Sequence, residues 1–120
     1  MSADYSFFWK FSPEKRSAEL EVRIDAGKLS LEVSESKLGE VLLDDVYRVY
    51  ATATRNPDIR WLVVETEGGE SLRVPETAKG LAQSVRDLVK FNIEVPEEWM
   101  VHARIDQEDT LWQAEVLGES

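Results

Sequence analysis

From residue 18 onward the chain alternates between apolar and charged positions: Ala18, Leu20, Val22 and Ile24 are separated by Glu19, Glu21 and Arg23, with Asp25 after them. A period of two sends successive side chains to opposite faces of a strand, so the apolar set faces a core and the charged set faces water. Asp25-Ala26-Gly27-Lys28 supplies a turn, and Leu29, Leu31 and Val33 return inward with Ser30 and Glu32 outward. The pair predicts a β-hairpin. Upstream, Tyr5-Ser6-Phe7-Phe8-Trp9-Lys10-Phe11 is aromatic-rich and ends at Ser12-Pro13, which predicts a strand with Phe7, Trp9 and Phe11 on one face. Downstream, residues 34–39 are polar and read as a loop, and residues 40–43 read as a short strand that Asp44-Asp45 breaks. Residues 46–54 are rich in β-branched and aromatic side chains and predict a longer strand, with Tyr47, Val49, Ala51 and Ala53 as its apolar face. Arg55-Asn56-Pro57-Asp58 has turn chemistry, because Pro fixes φ and Asn and Asp accept turn geometry. Residues 61–67 and 71–74 are two further strands around Gly68-Gly69, where both residues tolerate the positive φ of a tight hairpin turn.

After Pro75 the period changes from two to about 3.6. Ala78, Leu81, Ala82, Val85, Leu88 and Val89 form one stripe, with Lys79, Gln83, Arg86 and Lys90 opposite. This predicts an amphipathic helix over about 77–91, capped by Thr77. Gly80 inside it costs roughly 1 kcal/mol relative to Ala, which burial of the stripe offsets, and Asn92 and Pro96 limit its length. The last segment has two readings. Val101, Ala103 and Ile105 alternate, as do Trp112, Ala114 and Val116, which favours a second hairpin. A helix capped at Asp106 and closed by Gly118 is the alternative.

Composition narrows the class. The chain is 42% hydrophobic and 32% charged, the balance of a globular domain rather than a disordered one, and 120 residues suit a single domain. The absence of Cys excludes disulfides, thiolate nucleophiles and Cys-based zinc sites. The first residues lack the basic-then-apolar pattern of a secretory signal. No aliphatic run approaches membrane-spanning length, so the expected location is cytoplasmic. The net charge of −10 is uneven: residues 1–90 hold 16 acidic and 13 basic side chains, residues 91–120 hold 8 acidic ones and only Arg104 as a base. Such a field repels nucleic-acid phosphate and anionic lipid and attracts cationic partners.

The run of short antiparallel strands over roughly residues 5–91, the Gly68-Gly69 hairpin and the closing helix resemble the pleckstrin-homology-like superfold. The resemblance implies an α+β fold: a bent antiparallel sheet or partial barrel of six to seven strands, capped by the helix. It implies a module that binds peptides, proteins or lipid head groups. In that family a basic cluster near the first hairpin loop meets the head group, and the matching positions here are Lys10, Lys15 and Arg16. Residues 92–120 then form an acidic extension that contains Trp.

Catalysis has little support. His102 is the only His, and no nucleophile elbow, phosphate-cradling Gly loop or zinc-binding helix motif occurs. Asp44-Asp45 has turn chemistry, and Asp106-Gln107-Glu108-Asp109 lacks the Gly and final Glu of a calcium loop. No cofactor and no metal are expected. Lys79, Arg86 and Lys90 follow one stripe of the predicted helix, the usual solvated face. The remaining candidate is the C-terminal region, where Trp99, Met100 and Trp112 stand among Glu94, Glu97, Glu98, Asp106, Glu108 and Asp109. Aromatic anchors ringed by charge characterise protein-binding patches, although two Trp side chains can equally be core. The expectation is a non-catalytic adaptor or immunity-type inhibitor that engages a basic protein. Head-group recognition, a small carboxylate-dependent enzyme and homodimerisation are the alternatives.

Overall fold

The structure, a computed structural model, describes residues 20–34, 36–55 and 58–114. The strand expected at residues 5–11, the inward Ala18, and the Asn56-Pro57 centre of the expected turn lie outside them. The first alternating stretch forms β1 (Leu20–Asp25) and β2 (Lys28–Val33), paired antiparallel from Leu20 opposite Val33 to Asp25 opposite Lys28. The two turn residues, Ala26 and Gly27, both have positive φ, 53° and 76°, the geometry whose twist matches that of the flanking strands. Of residues 34–39, expected as a loop, residues 36–39 instead open a strand, β3 (Ser36–Leu42), which pairs with β2 across a bulge at Leu31/Glu32. The apolar signature is weak there because β3 is an edge strand. Val41 is its one fully buried side chain, and Leu38 and Leu42 face outward. Asp44-Asp45 does break the chain, in a short 3-10 turn at Leu43–Asp45.

A second antiparallel sheet holds β4 (Val46–Thr54), β5 (Ile59–Thr66), β6 (Ser71–Pro75) and β7 (Asp109–Gln113), in the order β6-β5-β4-β7. The architecture is thus α+β with seven described strands, arranged in two antiparallel sheets of three and four strands that do not close, rather than in one continuous bent sheet. The sheets approach where β3 meets β6. A Cβ at Gly39 would lie 2.8 Å from the Cδ1 of Leu72, so the bare glycine lets Leu72 pack. Leu20, Val22, Leu29, Leu31 and Val41 from the first sheet share one apolar core with Val49, Ala51, Leu62, Val64, Leu72 and Val74 from the second. Tyr47 lies at a bulge between Val46 and Arg48, which shifts its phase and leaves it half-buried. Tyr50, Trp61 and Val63 form a smaller buried cluster with Ile59 against it.

The helix is shorter than its apolar stripe. α1 spans Leu81–Asp87 and tightens into a 3-10 turn over Leu88–Phe91. Thr77 is not its cap. The preceding segment is committed elsewhere: the Lys79 N–H donates to the Leu20 carbonyl at 3.0 Å, and the Lys79 carbonyl accepts from the Val22 N–H at 2.8 Å. Gly80, with φ 82°, is the N-cap, so this glycine is a hinge residue and not a flaw within the helix. At the far end Asn92 adopts φ 65°, the Asn92 N–H reaches the Val89 carbonyl, and the Ile93 N–H reaches the Leu88 carbonyl. That is the Schellman pattern, and Ile93 and Leu88 complete it with an apolar contact in the core. A helix this short is unstable alone. Burial of Leu81, Val85 and Leu88, worth roughly 1.5–3 kcal/mol each, holds it.

Among the described residues the expected C-terminal hairpin does not form. Residues Trp99–His102 are a 3-10 turn, and both arms of the expected hairpin pair with β4 instead of with each other. The Ala53 N–H donates to the Arg104 carbonyl and the Asp106 N–H to the Ala53 carbonyl, while β7 runs antiparallel to β4 from Ala51 opposite Asp109 to Arg48 opposite Gln113. The nine-residue β4 offers an open row of backbone groups that both arms satisfy. Ile93, Val95 and Trp99 belong to the same core as the two sheets.

Candidate functional site: an apolar groove with an acidic rim

The sequence-derived patch separates into three parts. Trp99 is 3% exposed and sits in the core. Trp112 lies on β7, half-buried against that core. Met100 is 37% and Val101 72% exposed, both on the 3-10 turn that carries Trp99. The carboxylates separate as well. Glu108 accepts from Arg48 at 3.1 Å, and Asp109 accepts two hydrogen bonds from Arg104 at 2.9 and 2.6 Å. Asp106, at φ 59°, lies in the loop that leads into β7. These groups fasten β7 to the molecule. Glu94, Glu97 and Glu98 are exposed and form no ion pair among the described residues. The lone His102 is exposed at the end of the 3-10 turn.

What the structure adds is a groove. The helix, anchored at both ends by Gly80 and Asn92, runs beside the returning segment 94–100, and two adjoining hollows lie between them. One, of about 300 Å³, is lined by Leu81, Ala82, Val85, Trp99 and Met100, with Glu76 and Glu97 at its margin. The other, of about 590 Å³, is lined by Val85, Val89, Val95 and Pro96, with Glu94 and Glu97. Arg86 and Glu97 border both. Arg86 donates to the Gln83 side chain at 3.0 Å, and Glu76 is paired with Arg60 at 3.2 Å. Gln83 is neutral, so Arg86 keeps its positive charge, and the carboxylates without an ion pair among the described residues, Glu94 and Glu97, outnumber it two to one on the rim.

Val89, exposed to 53%, and Ala82 were not among the sequence-derived site residues, although a signal existed. Their stripe has six apolar positions, more than so short a helix buries, and the surplus faces the groove. The expected cationic stripe is not a unit. Lys79 precedes the helix with its backbone bound to β1, Arg86 turns to Gln83, and Lys90 pairs with Asp87 at 3.6 Å. Lys10, Lys15 and Arg16 lie outside the described residues.

The shifted titrations belong to structural contacts away from the groove. The hydrogen bond from Lys37 holds Glu40 below its ordinary value, and Arg104 does the same for Asp109. Burial opposes the charge of Arg48, but Glu108 and Glu65 outweigh it and raise its pKa. Burial pushes the Tyr50 phenol up, with Glu108 adding to it; the Arg48 guanidinium lies 4.4 Å from the centre of that ring. Among the described residues no group of three or more His, Asp or Glu is placed to hold a metal ion, and no helix is long and apolar enough to cross a membrane. Comparison of the chain with protein-family models, curated proteins and solved structures finds no match.

Proposed function

We propose that this protein is a non-catalytic protein-binding module, of adaptor or immunity-inhibitor type, that engages a basic partner through its C-terminal acidic region. The observation that carries the reading is the groove beside α1: exposed apolar side chains, Val89 and Met100, bordered by Glu94 and Glu97 with no ion pair to offset them among the described residues. Apolar surface bordered by an excess of negative charge suits association, the first part giving affinity and the second speeding encounter with an oppositely charged protein. The pleckstrin-homology-like reading of strands closed by a helix belongs to this proposal and agrees with a binding role, with the refinement that β7 is added after the helix.

Affinity capture with paired baits tests it. The wild-type chain is expected to recover basic proteins that a Glu94→Lys/Glu97→Lys bait does not. Recovery of the same proteins in the same amounts by both baits would refute the assignment of this face.

A further inference from the structure

We infer that the groove takes a peptide segment bearing two apolar side chains, one for each hollow, with a lysine or arginine placed to meet Glu97 where the hollows join. This rests on the protein-binding reading and specifies its ligand.

The two hollows are neighbours, because Val85, Arg86 and Glu97 line both. Along α1 and the 3-10 turn that continues it, the first is floored by Leu81, Ala82 and Val85 and the second by Val85 and Val89. The floor residues are thus offset along the chain by about one helical turn, roughly 5.4 Å. Anchors on a peptide are spaced on that scale when they stand at i and i+3 or i+4 of a helix, or at i and i+2 of a strand. The walls are of different kinds: a helix fixed at both ends on one side, and on the other a segment whose Val95 and Trp99 are rooted in the core. The apolar floor is therefore preformed, which lowers the ordering cost of binding.

Charge selects the flanks. Glu97 borders both hollows, Glu94 borders the second, and Glu98 follows Glu97 in the chain; none has an ion partner among the described residues. Arg86 is the one cation among the described lining residues; Gln83 fixes its guanidinium without neutralising it, and Glu94 and Glu97 together outweigh its charge. A nucleic acid or an anionic surface would bring phosphate against these carboxylates at a cost, whereas a cation between two apolar anchors meets Glu97 directly. Trp99, on the floor of the first hollow, contributes to the chain's Trp fluorescence together with Trp9, Trp61 and Trp112.

The test uses the full chain and three short synthetic peptides, followed by calorimetry and Trp fluorescence. The first is an amphipathic Leu–Lys peptide, the second has Glu at each Lys, and the third has Ser at each Leu. The Leu–Lys peptide is expected to bind at least about tenfold more tightly than either of the others. Glu94→Lys/Glu97→Lys should weaken it by about tenfold or more, while Glu67→Lys/Glu70→Lys, the same charge change at the β5–β6 turn, should alter it less than about threefold. Equal loss in both variants would show attraction to net charge alone and overturn the groove assignment. Equal binding of the Ser–Lys peptide would remove the apolar anchors but leave a basic partner standing. Equal binding of the Leu–Glu peptide would overturn both. No binding by any peptide would overturn this ligand class and leave the broader reading to the capture experiment. Self-association of the chain through the groove, seen by light scattering, would make the occupant a second copy and overturn the proposal.

Discussion

Replacing Gly80 with Ala adds one methyl group at the point where the groove's helix is hung on the first sheet. Two costs follow. At φ 82° an L-residue is left-handed, a strain of about 1–2 kcal/mol. The new Cβ would also stand 2.5 Å from the Val22 carbonyl oxygen, a backbone atom that cannot swing aside. Relief requires β1 and the 79–80 segment to separate, which stretches the 2.8 and 3.0 Å hydrogen bonds joining Lys79 to Val22 and Leu20. Each is worth about 0.5–1.5 kcal/mol. Against this, Ala restricts the unfolded chain and returns about 0.4–1 kcal/mol. The net loss is about 2–4 kcal/mol, or a fall in Tm of roughly 8–20 °C for a chain of this length. Gly69→Ala is the control. Gly69 has φ 90° but nothing within 4 Å of a built Cβ, so it carries the strain without the collision. Urea unfolding of both variants, read as a change in midpoint at constant m, should place Gly80→Ala at least about 1 kcal/mol below Gly69→Ala. Equal losses would mean that the 79–80 segment is not docked on β1 as described.

Three further outcomes follow from the same contacts. Asn92→Val should cost about 1–2 kcal/mol in urea unfolding because a β-branched residue resists φ 65°, whereas Asn92→Gly should stay within about 0.5 kcal/mol of wild type. Arg48→Ala removes contacts to Glu65, Glu108 and Thr110 and should cost about 1–2 kcal/mol; hydrogen exchange should show β7 amides losing more protection than those of β5. Glu40 and Asp109 have folded pKa values below their ordinary 4.5 and 3.8, so their contributions are complete above those values and vanish as pH falls through the lower folded ones. A Glu40→Gln/Asp109→Asn variant should therefore show a shallower acid decline of the urea midpoint below that range, and parallel curves for variant and wild type would contradict the assignment.

Much of the fold was legible because a period of two survives wherever one face of a strand is buried. Leu20, Val22, Leu29 and Leu31 gave the first hairpin and the β-branched run gave β4; Gly68-Gly69 lies in the β5–β6 connection, but that spans residues 67–70 rather than two, with positive φ at Gly69 and not at Gly68. The misses share a cause: backbone groups found partners that a local pattern does not encode. Residues 36–39 are a strand because β2 had an open edge to pair with. The helix starts at Leu81 because the backbone of Lys79 binds β1, and the C-terminal arms separate because β4 accepts both. The site was legible only in its chemistry. Aromatic and acidic residues near position 99 were visible, but local sequence could not show that Trp99 turns into the core, that Arg48 and Arg104 occupy Glu108 and Asp109, or that Val89 and Ala82 stay uncovered.

Amide shift mapping of the ¹⁵N-labelled chain with the Leu–Lys peptide asks most directly where a partner sits. The largest shifts should fall on residues 82–89 and 94–101, the two walls of the groove. Shifts concentrated on β1–β3 or β7, with those walls unmoved, would place recognition elsewhere and contradict the account.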